Sequence, residues 1–236
     1  MMEGRFAVYF SPEKDSDLDQ FGKWWLARCA ESGQCFESPR LRTISSEDIL
    51  RLTTVPRQYG FHGTLVAPFI LSSSCTEWQL IRHATEFAQQ QKAFFLEGFN
   101  IIEIGNFLAL VPEDYEQINS LADSCVRAFD SFREQPTLAE MERRRAKGLT
   151  PVQERLLARW GYPFVLSEFH FHLTLTDSIR DRKMRKKLIR SLNDHTWRLR
   201  KQSHFVSELC LFYQQSKKTP FMLIHRIPFG KKEVEQ

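Results

Sequence analysis

Histidine and threonine recur at one spacing in two apolar segments, Phe61-His62-Gly63-Thr64-Leu65 and Phe171-His172-Leu173-Thr174-Leu175. Imidazole titrates near neutrality, so a neutral ring can take a proton from water while a charged one protonates a departing alkoxide. Neighbouring hydroxyls can donate hydrogen bonds to the non-bridging oxygens of a phosphoryl group as those oxygens gain charge. Two His-x-Thr units are therefore a candidate base, acid and pair of phosphate binders, a set that calls on no metal and no other cofactor. A single such unit is more often an ordinary, hydrogen-bonded strand residue. The repetition, each time before a leucine, favours function.

That chemistry needs both units on one wall. β-branched, aromatic and aliphatic residues favour strands, and strand residues i and i+2 share a face about 7 Å apart. His62 and Thr64 then face one way while Phe61 and Leu65 are buried, and His172 and Thr174 do the same against Phe171, Leu173 and Leu175. The sequence does not distinguish base from acid; the working assignment is His62 as base and His172 as acid. Tyr9, Arg57, Tyr59 and Tyr213 are candidates to line the cleft, and His170 and Thr176 flank the second unit. A rival set, His62 with His170 and His172, offers three imidazoles for zinc. It leaves the repeated threonines without a role.

The surrounding pattern supplies elements to hold these strands. Residues 5–10 read as a strand, followed by a helix entered through Asp15 to Asp17 and ended by Gly33. Ser45 or Ser46 starts a second helix that stops before Pro56, and the first histidine strand occupies 59–66, interrupted at Pro68. A capping box at 74–77 opens a helix through Trp78, Ile81, Thr85 and Ala88. Strands are expected at 94–96, 100–104 and 107–111, the last two joined by a Gly105-Asn106 turn. A helix at 113–132 carries Ile118, Leu121, Ala122, Cys125 and Phe129 on one stripe. Residues 137–160 are polar and helical, restarted where Thr150 caps and Pro151 takes the first helical position. The second histidine strand is expected at 168–176, an amphipathic basic helix from about 180 with Met184, Leu188 and Leu192 inward, and strands at 205–213 and 221–227. The two strand–helix–histidine-strand series suggest similar α/β lobes, and with no Gly/Ser/Pro-rich linker the chain reads as one domain, 1–236.

Composition narrows the class. The formal net charge is +4, which suits a small anionic substrate without indicating nucleic acid. The five cysteines form no CxxC pair, which fits a reducing cytoplasm better than a disulfide scaffold. No apolar run approaches the length of a membrane span, and the N-terminus does not read as a signal peptide.

Longer contexts add a resemblance. The stretches 57–69 (RQYGFHGTLVAPF), 139–162 (AEMERRRAKGLTPVQERLLARWGY) and 169–176, with Leu211-Phe212-Tyr213 and Pro220-Phe221, resemble the two-histidine (2H) phosphoesterase superfamily. Within it they are most similar to the DUF1045 branch associated with phosphonate metabolism. The resemblance implies an α+β, bilobal, pseudo-twofold fold with antiparallel-rich sheets, flanking helices and a helical insertion at about 133–165 between the two His-x-Thr strands. It implies a cyclic phosphodiesterase acting on a phosphorylated sugar or nucleotide, or alternatively a non-catalytic module holding a nucleotide or RNA in the same cleft. RNA stays open as a partner because of the basic helix, a membrane is not expected, and the oligomeric state is undetermined. One departure is Gly63, where alanine is usual; facing away from the cleft, it is expected only to loosen the strand.

Overall fold

Alternating side chains on the central strands divide the molecule into a packed face and an open one. The computed structural model describes residues 4–146 and 148–230. The chain begins β1 (Arg5–Phe10), α1 (Asp17–Leu26), α2 (Ser46–Leu52), α3 (Thr54–Tyr59), β2 (Gly63–Phe69) and α4 (Glu77–Gln89). There follow β3 (Phe94–Glu97), β4 (Phe99–Ile104), β5 (Phe107–Pro112) and α5 (Glu116–Ala128). The insertion holds α6 (Leu138–Arg145) and α7 (Pro151–Trp160), before β6 (Leu173–Thr174) and α8 (Arg182–Thr196). The last strands are β7 (Ser203–Val206), β8 (Glu208–Gln214) and β9 (Met222–Pro228).

Seven strands form one antiparallel sheet in the order β4-β5-β6-β2-β1-β8-β9, while β3 and β7 pair separately. The two lobes expected from sequence are thus halves of a continuous sheet that join where β2 meets β6. Phe6, Val8 and Phe10 of β1, Leu65 of β2, Leu108 and Leu110 of β5, and Leu209 and Leu211 of β8 point to one face. Helices α1, α4, α5 and α8 cover it with Leu18 and Trp25, Leu80 and Ala84, Ile118 and Cys125, and Leu188 and Leu192. Each such side chain taken from water contributes about 1.5–3 kcal/mol. The Trp25 indole N–H also donates to the Leu175 carbonyl (2.7 Å), pinning α1 to the second histidine segment. The opposite face carries Ala7, Tyr9, Cys210 and Phe212 under Phe221 and Leu223, and it is left partly open.

The α+β class, the antiparallel sheet and the flanking helices are as expected, and so are the Gly105-Asn106 turn and the Thr150–Pro151 helix start. Several boundaries differ, each for a local reason. Tyr59 ends a helix rather than opening a strand, because Pro56 sits in the first turn of α3, where its missing N–H is not needed. The second histidine strand shrinks to Leu173–Thr174, preceded by a 3-10 turn at Leu166–Glu168. Pro68 lies inside β2, at the place where register with β1 slips between Val66 and Phe69. α1 stops at Ala27, in the left-handed region with its N–H returned to the last turn, well before Gly33. The α4 box is made by Thr76 and Gln79, two residues later than expected. The 113–132 helix is shorter, followed by a 3-10 turn, and the 205–213 strand is two strands in different sheets. Among the described residues no helix is long and apolar enough to cross a membrane.

Candidate active site

Gly63 of β2 faces Leu173 of β6 in antiparallel register. Extending that register by one residue in each direction sets His62 opposite Thr174 and Thr64 opposite His172. The two His-x-Thr units are therefore related by a local twofold axis through the Gly63–Leu173 pair. Directly opposite Cβ atoms in such a ladder lie about 5 Å apart and diagonal ones about 7 Å, so the imidazoles straddle a gap with a hydroxyl beside each.

Both rings are held the same way. His62 Nδ1 is 2.8 Å from the Gly60 carbonyl and His172 Nδ1 is 2.8 Å from the His170 carbonyl. A carbonyl only accepts, so each Nδ1 carries the proton and each Nε2 is the unprotonated nitrogen of the neutral ring. Gly60 presents its carbonyl from a left-handed φ of 80°, a conformation that ends α3 and suits glycine alone. The Tyr9 ring stacks on His62 at 3.9 Å, Thr64 Oγ1 lies 3.4 Å from His62 Nε2, and Phe107 leans on His172 at 5.7 Å. Burial opposes charging of both rings. It pulls His62 down to about 4, overcoming the Gly60 carbonyl, with the nearby His172 adding to the effect. His172 is lowered by the same desolvation.

His62, Thr64 and Thr174 line a cavity of about 690 Å³ together with Tyr9 and Tyr59. His172 is not on that cavity wall; it stands beside it on the same sheet face, opposite Thr64 in the extended register and against Phe107, which does line the cavity. Two sequence candidates lie elsewhere. Arg57 is not on the cavity wall: its guanidinium turns back to the Thr53 hydroxyl (3.3 Å), within its own helix. Tyr213 points to the packed face, its ring 4.8 Å from Phe6, because it is out of phase with Phe212 on β8. Thr176 lines the cavity but accepts the Leu108 N–H (3.0 Å), a structural bond, and His170 contributes its carbonyl to His172. Among the described residues no group of three His, Cys, Asp or Glu side chains could hold a metal ion, so the three-imidazole set is not assembled.

The cavity residues not singled out from sequence include the charged and phenolic Arg5, Arg144, Tyr162 and Asp177. Asp177 accepts the Val55 N–H (3.0 Å) and so seats α3 over the site, with burial raising its carboxyl above the usual range. Arg5 was legible in principle, since it shares a strand face with Tyr9. Arg144 and Tyr162 were not, because only tertiary structure folds the insertion back over the sheet.

Gly63 has a packing role rather than a loosening one. A Cβ there would fall 2.3 Å from the Phe171 ring, which is buried edge-on to Phe10 at 5.7 Å. Gly63→Ala is expected to lower stability by about 1–3 kcal/mol in urea denaturation, the range for overpacking, with part recovered in G63A/F171L. An unchanged midpoint would show that Phe171 yields freely.

The fold and site define an α+β protein with symmetry-related histidines on the open face of an antiparallel sheet. The profile of the family described as "Protein of unknown function (DUF1045)" matches residues 64–222, and the chain belongs to that family. It is 34% identical over 239 residues to a protein named ribose 1,5-bisphosphate phosphokinase PhnN from Janthinobacterium sp. (strain Marseille), a match covering 96% of this chain and 51% of that protein. It is 28% identical over 229 residues to one of the same name from Laribacter hongkongensis (strain HLHK9), covering 93% of this chain and 50% of that protein. The chain thus spans about half the length of these curated relatives. Among solved structures, a conserved protein of unknown function from Agrobacterium tumefaciens str. C58 aligns with a TM-score of 0.40 and 12% identity, over 96% of this chain and 86% of that one. Usb1 of Kluyveromyces marxianus aligns with a TM-score of 0.33 and 10% identity, over 94% of this chain and 97% of that one.

Proposed function

We propose that the protein is a two-histidine phosphoesterase of the 2H type that opens a cyclic phosphodiester on a ribose-like sugar or nucleotide. The observation that carries this reading is the symmetric pair of histidines, each tied through Nδ1–H to a backbone carbonyl two residues earlier, with a threonine of the opposite unit across the extended ladder from each. In the step, neutral His62 takes a proton from water at Nε2 and the water oxygen bonds to phosphorus. His172, charged at Nε2, gives its proton to the sugar oxygen as the P–O bond breaks, leaving a phosphomonoester. Thr64 and Thr174 hydroxyls donate to the non-bridging oxygens, whose charge grows in the transition state. The histidines finish with protons exchanged and reset through solvent. The names of the two longer relatives support placing phosphorylated ribose first among substrates, and the link to phosphonate metabolism rests on the sequence resemblance alone.

The test is a turnover panel of ribose cyclic phosphates, nucleoside 2′,3′-cyclic phosphates and linear 2′-5′ oligonucleotides, each run before and after EDTA treatment. Ring opening of a cyclic substrate, undiminished by EDTA, is the expected result. Tight nucleotide binding with no turnover would replace this reading with a binding module, and loss of activity in EDTA would bring a metal into the mechanism.

A further inference from the structure

A second cavity, of about 550 Å³, adjoins the histidine cavity and is walled in part by Arg133, Arg143, Lys217 and Trp160. Arg5, Tyr59, Arg144 and Tyr162 line both, so they form the junction between the two. The charges here are unevenly answered. Arg133 is paired with Asp130 (2.8 Å) and Arg143 lies 3.9 Å from Glu140. Arg5 instead donates to the neutral Gln214 side-chain amide (2.9 Å), and Arg144 rests over the Tyr162 ring at 4.9 Å; neither has an ion-pair partner among the described residues.

Two buried polar atoms here lack partners, one at this junction and one beside it in the histidine cavity. The Tyr9 hydroxyl is fully buried and unbonded, as is Nε of Arg144. Tyr9 lies within electrostatic reach of Arg5, Tyr59 and Tyr162, and Tyr162 within reach of Arg144 and Tyr59. Burial raises the Tyr9 and Tyr162 phenols, so both keep their protons and stay donors. Buried donors are normally satisfied. An unpaired phenol O–H and an unpaired guanidinium N–H beside a cleft, with further arginine and tyrosine side chains around them, are matched by a group with several acceptor oxygens and negative charge.

We propose that this junction binds a second, non-reacting phosphate of the substrate, which is therefore a phosphodiester that also carries a phosphomonoester. The inference rests on the phosphoesterase reading above and specifies its substrate class. Arg5 and Tyr9 share one face of β1, about 13 Å apart along the backbone, and the length of the arginine side chain shortens that span toward a phosphorylated pentose. A diester with no second anion leaves the Tyr9 hydroxyl and Arg144 Nε without a partner and the Arg5 charge without a counter-ion.

Calorimetric binding to the H62A/H172A protein tests this without turnover. The probes are methyl riboside 2,3-cyclic phosphate and the same compound bearing a 5-phosphate. The 5-phosphate is expected to tighten binding about tenfold or more, as for an added charge-assisted contact. Adding Arg144→Gln should remove most of that gain, while Arg144→Lys keeps part of it. Equal affinity for the two probes, or a gain that survives R144Q, overturns the proposal; should R144Q fail to fold, the two-probe comparison still decides. Turnover by the wild-type protein is recorded alongside. A binding gain without turnover removes the phosphoesterase reading and leaves the anion site standing, and turnover without the gain removes only the anion site.

Discussion

Turnover of a cyclic ribose phosphate is expected to fall about 10²–10⁴-fold in both His62→Ala and His172→Ala, the range for removing a general acid or base. The H62A/H172A double variant should lie no more than about tenfold below the weaker single variant, because groups that act in one step are strongly non-additive. The structural reason is the shared geometry. Each imidazole is held by its own backbone carbonyl on one face of the sheet, and in the proposed step a proton delivered by one ring is useful only if the other has received one. Losses from Thr64→Val and Thr174→Val should be smaller, since each removes one hydrogen bond to a non-bridging oxygen. Folding is not the confounder, because both rings stand on the open face and each alanine forfeits a hydrogen bond worth about 1 kcal/mol. The measurement is kcat/KM with a urea midpoint beside it. A double variant that turns over like wild type removes the mechanism.

How much of this was readable from sequence depends on whether the signal was local. The His-x-Thr pair was readable because strand alternation is a two-residue rule, and the same rule put Leu65, Leu173 and Leu175 on the packed face. The pairing of β2 with β6 was not, since no local pattern states which strands become neighbours. The same limit explains Tyr213 and Arg57. Tyr213 is one residue out of phase with Phe212, and only the β1–β8 register, Phe6 against Tyr213, decides which of the two reaches the cleft. Arg57 looked adjacent to the motif in sequence, but α3 winds it away while leaving Tyr59 in place.

The insertion marks the other boundary of local reading. Its helices were legible from the polar run that begins at Thr137 and from Thr150 and Pro151, where the cap forms as expected; Thr137 caps α6 as well, a role not singled out from sequence. α6 contains no buried residue, so its amphipathic pattern says nothing of where it docks. Its contribution, Arg144 and then Tyr162 beyond α7, is made through the placement of the whole segment over the sheet. Residues inserted between two symmetry-related His-x-Thr units therefore break the symmetry of the cleft and add Arg144 and Tyr162 to one side of it.

The pH dependence is expected to follow from the burial of the histidines. The base must be neutral, so kcat/KM rises through the His62 pKa of about 4 and is full above it. The acid must be charged, so kcat/KM declines above the His172 pKa, which desolvation holds below its ordinary ~6.5. The optimum for kcat/KM should therefore lie on the acid side of about 6.5, falling about tenfold per pH unit beyond the alkaline limb. Bound phosphate adds negative charge between the rings and favours their protonation, so the alkaline limb of kcat should sit at higher pH than that of kcat/KM. A flat kcat/KM from pH about 5 to 8 would contradict two titrating imidazoles. The bell itself cannot say which ring is which, because exchanging the two roles gives the same curve. A p-nitrophenyl ester can, since its leaving group departs without a proton. His172→Ala should recover most of its activity on that substrate and lose the alkaline limb, while His62→Ala stays slow. Recovery in H62A instead would exchange the roles of base and acid while leaving the paired-histidine site intact.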